Sequence, residues 1–355
     1  MKKNNFIKKP LLTGVVLILV VAVIAYIEIQ KPNTNQLANT QNKTDNSKYP
    51  LAPDFVGIDK WINSEPLKIE ELRGKVVLVD FWTYTCINCI RTLPYLKDWD
   101  AKYRDKGLVI VGVHTPEFEF EKDYNNVLKA VNDNSIKYAV AQDNYYATWQ
   151  SYQNRYWPHK FLIDIYGRVR YDHIGEGGYE ETEQMIQELL KERMEKLGEK
   201  GDVDLETSKP LDAANTSSMR IGTPEIYLGY QFSRGNFGNP EGFGQDTVID
   251  YKIPSKISGN NVYLEGKWKS NADNMELLSD TGDILLVFDA KSVNIVAGSE
   301  SKSEASVFLD NKKQNPQNIS EFKLYNLANA DEYKEHLLKA TIKGKGFKLY
   351  TFTFG

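Results

Sequence analysis

The chain lacks several features that would define its class at once. It has only two cysteines among 355 residues, which excludes a fold built on several disulfides. Its formal net charge is only -4, with no excess of basic residues, which argues against a nucleic-acid partner. Apolar residues make up 41% and charged residues 26%, so the composition predicts an ordinary globular protein long enough for two domains.

Only one long apolar run is present, and it lies near the N-terminus. Residues 11–27 carry no charged side chain, and four lysines come before them. Such a run reaches the lower length limit of a membrane-spanning helix, and basic residues mark its cytoplasmic side. We predict a cytoplasmic tail at 1–9, a single transmembrane helix at 10–29, and folded domains on the extracytoplasmic side. A cleaved signal peptide is the alternative, although residues 26–29 (Tyr-Ile-Glu-Ile) are a poor cleavage site.

The rest of the chain divides by composition. Residues 30–48 are mostly polar and predict a flexible linker. Strand and helix patterns alternate over 49–200, which predicts an α/β domain. Residues 201–219 are polar and acidic and predict a second linker. Residues 220–355 contain short β-type runs separated by Gly, Asn and Asp, which predicts an all-β domain of the sandwich or jelly-roll type.

The two cysteines lie at the most informative point of the α/β region. A nearly continuous apolar run at 76–81 predicts a buried parallel strand, and a helical pattern follows Cys89. Cys86 and Cys89 therefore stand where a strand passes into a helix, whose N-terminus favours a thiolate. A disulfide that closes so short a loop adds little stability and is easily reduced. The pair indicates electron exchange rather than a structural cross-link.

Three further features join this cysteine pair in a recognisable pattern. Asp80 lies inside the apolar strand before the pair, Pro94 lies in the helix after it, and Trp157-Pro158 precedes a predicted hairpin. Together they resemble the thioredoxin superfamily, and more closely its membrane-tethered, extracytoplasmic TlpA-like branch. The resemblance implies a thioredoxin-like α/β fold, a cis peptide bond before Pro158, and a redox-active Cys86-Cys89 disulfide with no other cofactor.

The resemblance also implies roles for the thiols and for the buried acid. Cys86 would attack a partner disulfide, and Cys89 would resolve the mixed disulfide that results. Asp80, if buried, would have a raised pKa and would take the proton that Cys89 loses. The alternative is a partly hydrated carboxylate with no part in the chemistry.

Substrate contacts are predicted around the downstream proline. Pro158 has no N–H and would leave a backbone edge open for a substrate strand, whereas the alternative is a simple strand-start proline. Trp157, Pro158 and Tyr84 are the predicted substrate-binding residues. Thr85 stands directly before the first cysteine, where many thioredoxins have Trp, so the direction of electron flow is left open.

A more specific resemblance covers roughly residues 50–355. The segment 82–96 looks like the dithiol segment of DipZ-type proteins, and 173–179, 224–230 and 350–355 look like other parts of that family. The resemblance implies that the α/β domain is followed by a β-sandwich similar to a carbohydrate-binding module. Longer members also carry electrons through a polytopic membrane portion, so a chain with one apolar run would need a separate membrane electron donor.

Two hypotheses for function follow. The first is an extracytoplasmic, membrane-anchored thiol–disulfide oxidoreductase that acts on protein thiols and disulfides as a reductase or isomerase. The second is a cell-envelope binding protein whose β-domain recognises a polysaccharide or a protein, with the dithiol secondary. Aromatic residues such as Tyr227, Tyr230 and Trp268 could stack on sugar rings, although such residues more often form a core.

A metal site is the remaining alternative for the cysteine pair. His114, His159 and His173 are available, but their spacing does not fit a zinc site of two cysteines and two histidines. We expect no metal.

Overall fold

The structure is a computed structural model that describes residues 48–214 and 219–355. The predicted cytoplasmic tail, the predicted transmembrane helix and nearly all of the first linker lie outside the described residues. No helix within the described ranges has both the length and the apolar character needed to cross a membrane.

The first domain is a mixed sheet covered by helices, as the alternating pattern predicts. Its sheet has the strand order β1-β4-β3-β2-β5-β6, with β2, β3 and β4 parallel and the remaining neighbours antiparallel. The elements in chain order are β1 (Lys60–Ile62), β2 (Val76–Trp82), α1 (Ile87–Tyr103), a 3-10 turn (Arg104–Lys106), β3 (Leu108–His114), a 3-10 turn (Glu119–Lys122), α2 (Tyr124–Asp133), β4 (Ala139–Gln142), α3 (Ala147–Ser151), β5 (His159–Ile163), β6 (Val169–Ile174) and α4 (Tyr179–Leu197).

Strand β2 is the centre of this domain and delivers the chain to the cysteines. All of its residues are buried, because helices cover both faces of the sheet and each face contributes apolar side chains to a core. Helix α1 then packs Leu93, Leu96 and Trp99 against the sheet. Pro94 lies inside this helix, as the sequence predicts. The cysteine pair is thus held between a fully buried strand and a well-packed helix.

The second domain contains only strands among its described residues, which confirms the all-β prediction. Its strands are β7 (Ile226–Tyr227), β8 (Val248–Tyr251), β9 (Val262–Ser270), β10 (Met275–Leu277), β11 (Thr281–Ser299), β12 (Ser303–Leu309), β13 (Lys312–Lys313), β14 (Gln317–Ile319), β15 (Lys323–Lys343) and β16 (Phe347–Phe354). Strand β11 pairs with β9 through its first half and with β16 through its second half, and both partners pair with β10. The described strands therefore form one sheet that folds back on itself around a core.

Most aromatic candidates for sugar stacking are packed inside this β-domain. Trp268 is fully buried, and Phe237 stacks on Phe243 with ring centroids 4.2 Å apart against the core. Tyr230 is partly exposed, and its hydroxyl donates to Asp246. Because packing explains most of these side chains, we propose no sugar-binding role for them.

The two domains meet through a buried group of rings, which we call the aromatic interface. It consists of Phe118 and Phe120 from the first domain and Tyr227, Phe322 and Tyr350 from the second. The ring centroid of Phe120 lies 4.8 Å from that of Tyr350 and 5.2 Å from that of Phe322. Phe118 is only 2% exposed, so this contact removes a large aromatic surface from water. The β-domain is thereby held beside the loop that follows β3.

Candidate functional site

The two thiols occupy different environments at the start of α1. Cys86 is the N-cap residue of the helix, and its Sγ accepts a hydrogen bond of 3.3 Å from the backbone N–H of Cys89. Both cysteines are free thiols in this structure. Cys86 is partly exposed, whereas Cys89 is 1% exposed. Only Cys86 is therefore accessible to a partner, and the helix N-terminus supplies an N–H that stabilises its thiolate.

Burial gives Cys89 the opposite character. It raises the pKa of the Cys89 thiol well above its ordinary value, and the hydrogen bond with Cys86 raises it further. A thiol that holds its proton so firmly needs a base nearby before it can act as a nucleophile.

Asp80 is a buried acid suited to act as this base. It lies on β2, is 1% exposed, and its Oδ1 has no hydrogen-bond partner among the described residues. Burial raises the pKa of Asp80 to about 7, and the charge of Lys160 opposes the shift. The negative charge of Asp80 in turn helps to raise the pKa of Cys89. An acid that titrates near neutral pH is suited to exchanging a proton with a thiol.

Lys160 and Asp80 lie side by side on neighbouring strands of the sheet. The two residues are direct partners in the antiparallel pairing of β2 with β5. Lys160 is 1% exposed, and its Nζ donates a hydrogen bond of 3.0 Å to the carbonyl of Gly175. Burial lowers the pKa of Lys160, and the charge of Asp80 opposes that change. The site thus contains a buried acid–base pair behind the thiols.

The segment Trp157-Pro158 lies against the accessible thiol. The peptide bond between these residues is cis, as the resemblance implies. The Sγ of Cys86 lies 3.9 Å from the carbonyl oxygen of Trp157. The indole N–H of Trp157 donates to the carbonyl of Thr115, which fixes the ring at the edge of the site. The structure therefore brings the predicted residues Trp157 and Pro158 together with Cys86.

Two glutamates from the loop after β3 also border the site. Glu121 is fully buried; its Oε1 accepts a hydrogen bond of 2.5 Å from the hydroxyl of Thr85, directly before Cys86. Its Oε2 accepts from the backbone N–H groups of Glu117 and Phe118. Burial raises the pKa of Glu117 to about 8, and Glu121 adds to this effect. Glu121 thus ties the residue before the nucleophile to the loop that carries Glu117.

The β-domain reaches the same place. The hydroxyl of Tyr227 lies 2.7 Å from Oε1 of Glu117 and 3.0 Å from Oε2 of Glu225. A single hydroxyl proton serves only one of the two carboxyl groups, so the second contact requires a protonated carboxyl. The raised pKa of Glu117 meets that requirement at neutral pH. Side chains from both domains therefore share one hydrogen-bonded group beside the thiols.

Tyr84, a predicted substrate-binding residue, lies in contact with the β-domain. It is 6% exposed, its ring stacks on His114 with centroids 5.6 Å apart, and its hydroxyl donates to the carbonyl of Phe322 in the β-domain. The sequence does not show that the second domain covers this position. Because the side chain is occupied by contacts within the protein, we do not propose it as a substrate-binding residue.

The histidines have structural surroundings. Burial lowers the pKa of His114 to about 3, and His159 has Asn154 and Asp172 as hydrogen-bond partners. His173 lies on β6, and its Nε2 is 3.5 Å from the carbonyl oxygen of Glu176 in the turn before α4. Within residues 48–214 and 219–355, no group of three or more His, Cys, Asp or Glu side chains is placed to hold a metal ion.

Comparison with known proteins identifies the family. A model of the Redoxin family matches residues 46–190, and a model described as a thioredoxin-like C-terminal domain matches residues 223–355. The thiol-disulfide oxidoreductase ResA of Bacillus cereus is 30% identical over 138 residues, which cover 39% of this chain and 76% of ResA. The chain belongs to the thioredoxin-like thiol-disulfide oxidoreductases.

One relative matches both domains of the chain. The protein DipZ of Mycobacterium bovis is 37% identical over 309 residues, which cover 86% of this chain and 43% of DipZ. The chain therefore spans less than half the length of that relative. A solved thioredoxin-like protein in its oxidized form shares 27% identity, with a TM-score of 0.38, and covers 41% of this chain and 97% of that one.

Several residues beside the thiols are absent from the site that the sequence predicts. The sequence contains a signal for Lys160, because a lysine inside the otherwise apolar strand after Pro158 needs a buried partner. There is also a signal for Glu117. It follows the end of β3, at the same edge of the sheet where β2 ends just before the cysteines. The sequence contains no such signal for Glu225 and Tyr227, since only the packing of the second domain brings them beside the thiols.

Proposed function

We propose that the protein is an extracytoplasmic, membrane-anchored thiol–disulfide oxidoreductase that exchanges electrons with the disulfides of other proteins. One observation carries the proposal: an accessible thiol at Cys86 and a buried thiol at Cys89 lie at one helix N-terminus, against the Trp157-Pro158 segment. An exposed nucleophile with a shielded resolving thiol is the arrangement that thiol–disulfide exchange requires.

The proposed reaction has two steps. The thiolate of Cys86 attacks one sulfur of the partner disulfide, forms a mixed disulfide, and releases the other partner sulfur as a thiolate that takes up a proton. Cys89 then gives its proton to Asp80 and attacks the Sγ of Cys86. The Cys86–Cys89 disulfide forms, and the partner leaves with both electrons of the dithiol. In an isomerase cycle, another thiol of the partner resolves the mixed disulfide instead.

The location and the electron supply are parts of the same proposal. The apolar run at 10–29, with basic residues before it, supports one transmembrane anchor and extracytoplasmic domains. After each reduction the Cys86–Cys89 disulfide must itself be reduced by two electrons. We propose a membrane protein as the donor, because in this proposal the dithiol lies on the extracytoplasmic side and electrons must reach it across the membrane.

The variant Cys89→Ala tests this proposal. Without the resolving thiol, the mixed disulfide on Cys86 persists, so we expect covalent adducts with extracytoplasmic proteins that disappear on treatment with a reductant. Non-reducing electrophoresis and mass spectrometry of the adducts give the partners and the linked cysteine. The double variant Cys86→Ala/Cys89→Ala is the control and should give no adduct. If Cys89→Ala forms no adduct on Cys86, the proposal fails in favour of the binding-protein hypothesis.

A further inference from the structure

A small cavity opens between the two domains directly at the accessible thiol. Its volume is about 80 Å³. The first domain contributes Cys86 and Trp157 to its lining, and the β-domain contributes Tyr227 and Thr353. The nucleophile therefore lies at the bottom of a cleft with walls from two domains, rather than on an open surface.

The wall from the β-domain is held firmly in place. Tyr227 belongs both to the aromatic interface and to the hydrogen-bonded group with Glu117 and Glu225. Strand β7, which carries Tyr227, pairs with β16 at Thr351, and the Thr351 hydroxyl donates to the carbonyl of Ile226. Buried rings and hydrogen bonds of this kind resist displacement, so a substrate must fit the cleft as it stands.

One buried hydroxyl in the lining of the cleft has no hydrogen-bond partner among the described residues. Thr353 is 4% exposed, and its Oγ1 has no hydrogen bond to any described residue. The other lining threonines differ, because Thr85 donates to Glu121 and Thr351 donates to Ile226. Buried hydroxyl groups are nearly always hydrogen-bonded. The Thr353 hydroxyl is thus a buried polar group in the lining of the cleft whose hydrogen-bonding capacity no described residue uses.

The size of the cleft limits what can reach the thiol. A water molecule takes up about 30 Å³ in the liquid, so the cavity holds a few waters or a single small side chain. A disulfide on an extended chain can enter it, whereas a folded protein presents a broad surface that meets the β-domain first.

From the cleft and the free hydroxyl we propose that the β-domain forms one wall of the substrate site, and that the enzyme selects disulfides carried on extended or unfolded polypeptide segments, with Thr353 binding the segment. The inference rests on the proposed function and specifies its substrate class. It assigns the second domain a direct part in substrate selection, with Tyr227 positioning the wall.

Steady-state reduction by the wild type and two Thr353 variants tests the inference. The substrates are a short unstructured peptide with one disulfide and a folded protein with one exposed disulfide. We expect the wild type to show at least a tenfold higher kcat/KM for the peptide. Thr353→Val keeps the shape but removes the hydroxyl, and should raise KM for the peptide about three- to tenfold with kcat unchanged. Thr353→Trp fills the cleft and should lower kcat/KM for the peptide at least about thirtyfold.

Two controls separate the possible outcomes. Thr281→Trp places the same bulk on an exposed position at the far end of β11 and should leave peptide reduction unchanged. Alkylation of Cys86 by iodoacetamide reports whether the thiol itself is intact in Thr353→Val. Equal reduction of both substrates by the wild type, or an unchanged KM in Thr353→Val, overturns the inference while the proposed function stands. A wild type that reduces neither substrate overturns both.

Discussion

The variant Cys86→Ser is expected to reduce disulfides at least about 10³-fold more slowly than the wild type, because a neutral hydroxyl replaces the nucleophilic thiolate. Cys89 cannot substitute for it, since that thiol is 1% exposed and burial raises its pKa. The measurement is the initial rate of reduction of a small disulfide with a dithiol as electron source.

The matched control for this experiment is Cys89→Ser. It keeps the accessible thiol at the N-terminus of α1, so the pre-reduced protein, assayed without the dithiol, should release one equivalent of product thiol and then stop. Cys86→Ser should release none. A Cys86→Ser protein that turns over within tenfold of the wild-type rate would show that the dithiol is not the reacting centre.

The second large effect concerns Asp80. In the wild type, the rate at which Cys89 resolves the mixed disulfide should rise with pH through about 7, because Asp80 accepts a proton only when it is ionised. In Asp80→Asn this inflection should disappear, and the rate at pH 8 should fall about 10- to 100-fold. Stopped-flow measurement of the second thiol released gives the pH profile. An unchanged profile contradicts the proton-acceptor role.

The same substitution should change stability in the opposite direction. Burial raises the pKa of Asp80 from an ordinary 3.8 to about 7 in the folded protein, so the folded state binds this proton more tightly. Its contribution to stability is therefore present below pH 4 and lost as the pH rises to about 7. This rise in the pKa corresponds to about 4 kcal/mol in the free energy of unfolding.

Asp80→Asn removes this loss but leaves Lys160 without its opposing charge, which offsets part of the gain. We therefore expect the free energy of unfolding at pH 8 to increase by about 2 kcal/mol, with little change at pH 4. Urea denaturation at the two pH values measures it. Asp250→Asn, at an exposed position of β8, is the control and should be neutral at both. A decrease at pH 8 would show that the buried carboxylate is a net stabiliser.

The local parts of the redox site could be predicted from the sequence, because each depends on neighbouring residues. The apolar run predicts a buried β2, and Asp80 within that strand is 1% exposed. The cysteines were expected where a strand passes into a helix, and Cys86 is the N-cap of α1. The role of each residue remains a proposal.

The contacts between distant segments could not be predicted in this way. Tyr84 lies beside the cysteines in the sequence, which predicts that it binds substrate. In the structure its hydroxyl donates a hydrogen bond to the carbonyl of Phe322 in the β-domain. Tyr227 lies far from Glu117 along the chain, and no local pattern links them. The sequence indicates that Lys160 is buried, but only the register of β2 with β5 shows that Asp80 is its neighbour on the adjacent strand.

The sequence alone determined which residues are proposed for the chemistry and in what order they occur, since composition, periodicity and spacing are properties of short stretches of chain. Tertiary structure decided what surrounds them: the buried lysine opposite Asp80, and the wall that the β-domain places beside Cys86. The physical reason is that burial and desolvation depend on packing between segments distant in sequence, and these set both the pKa of a buried acid and the access of a substrate.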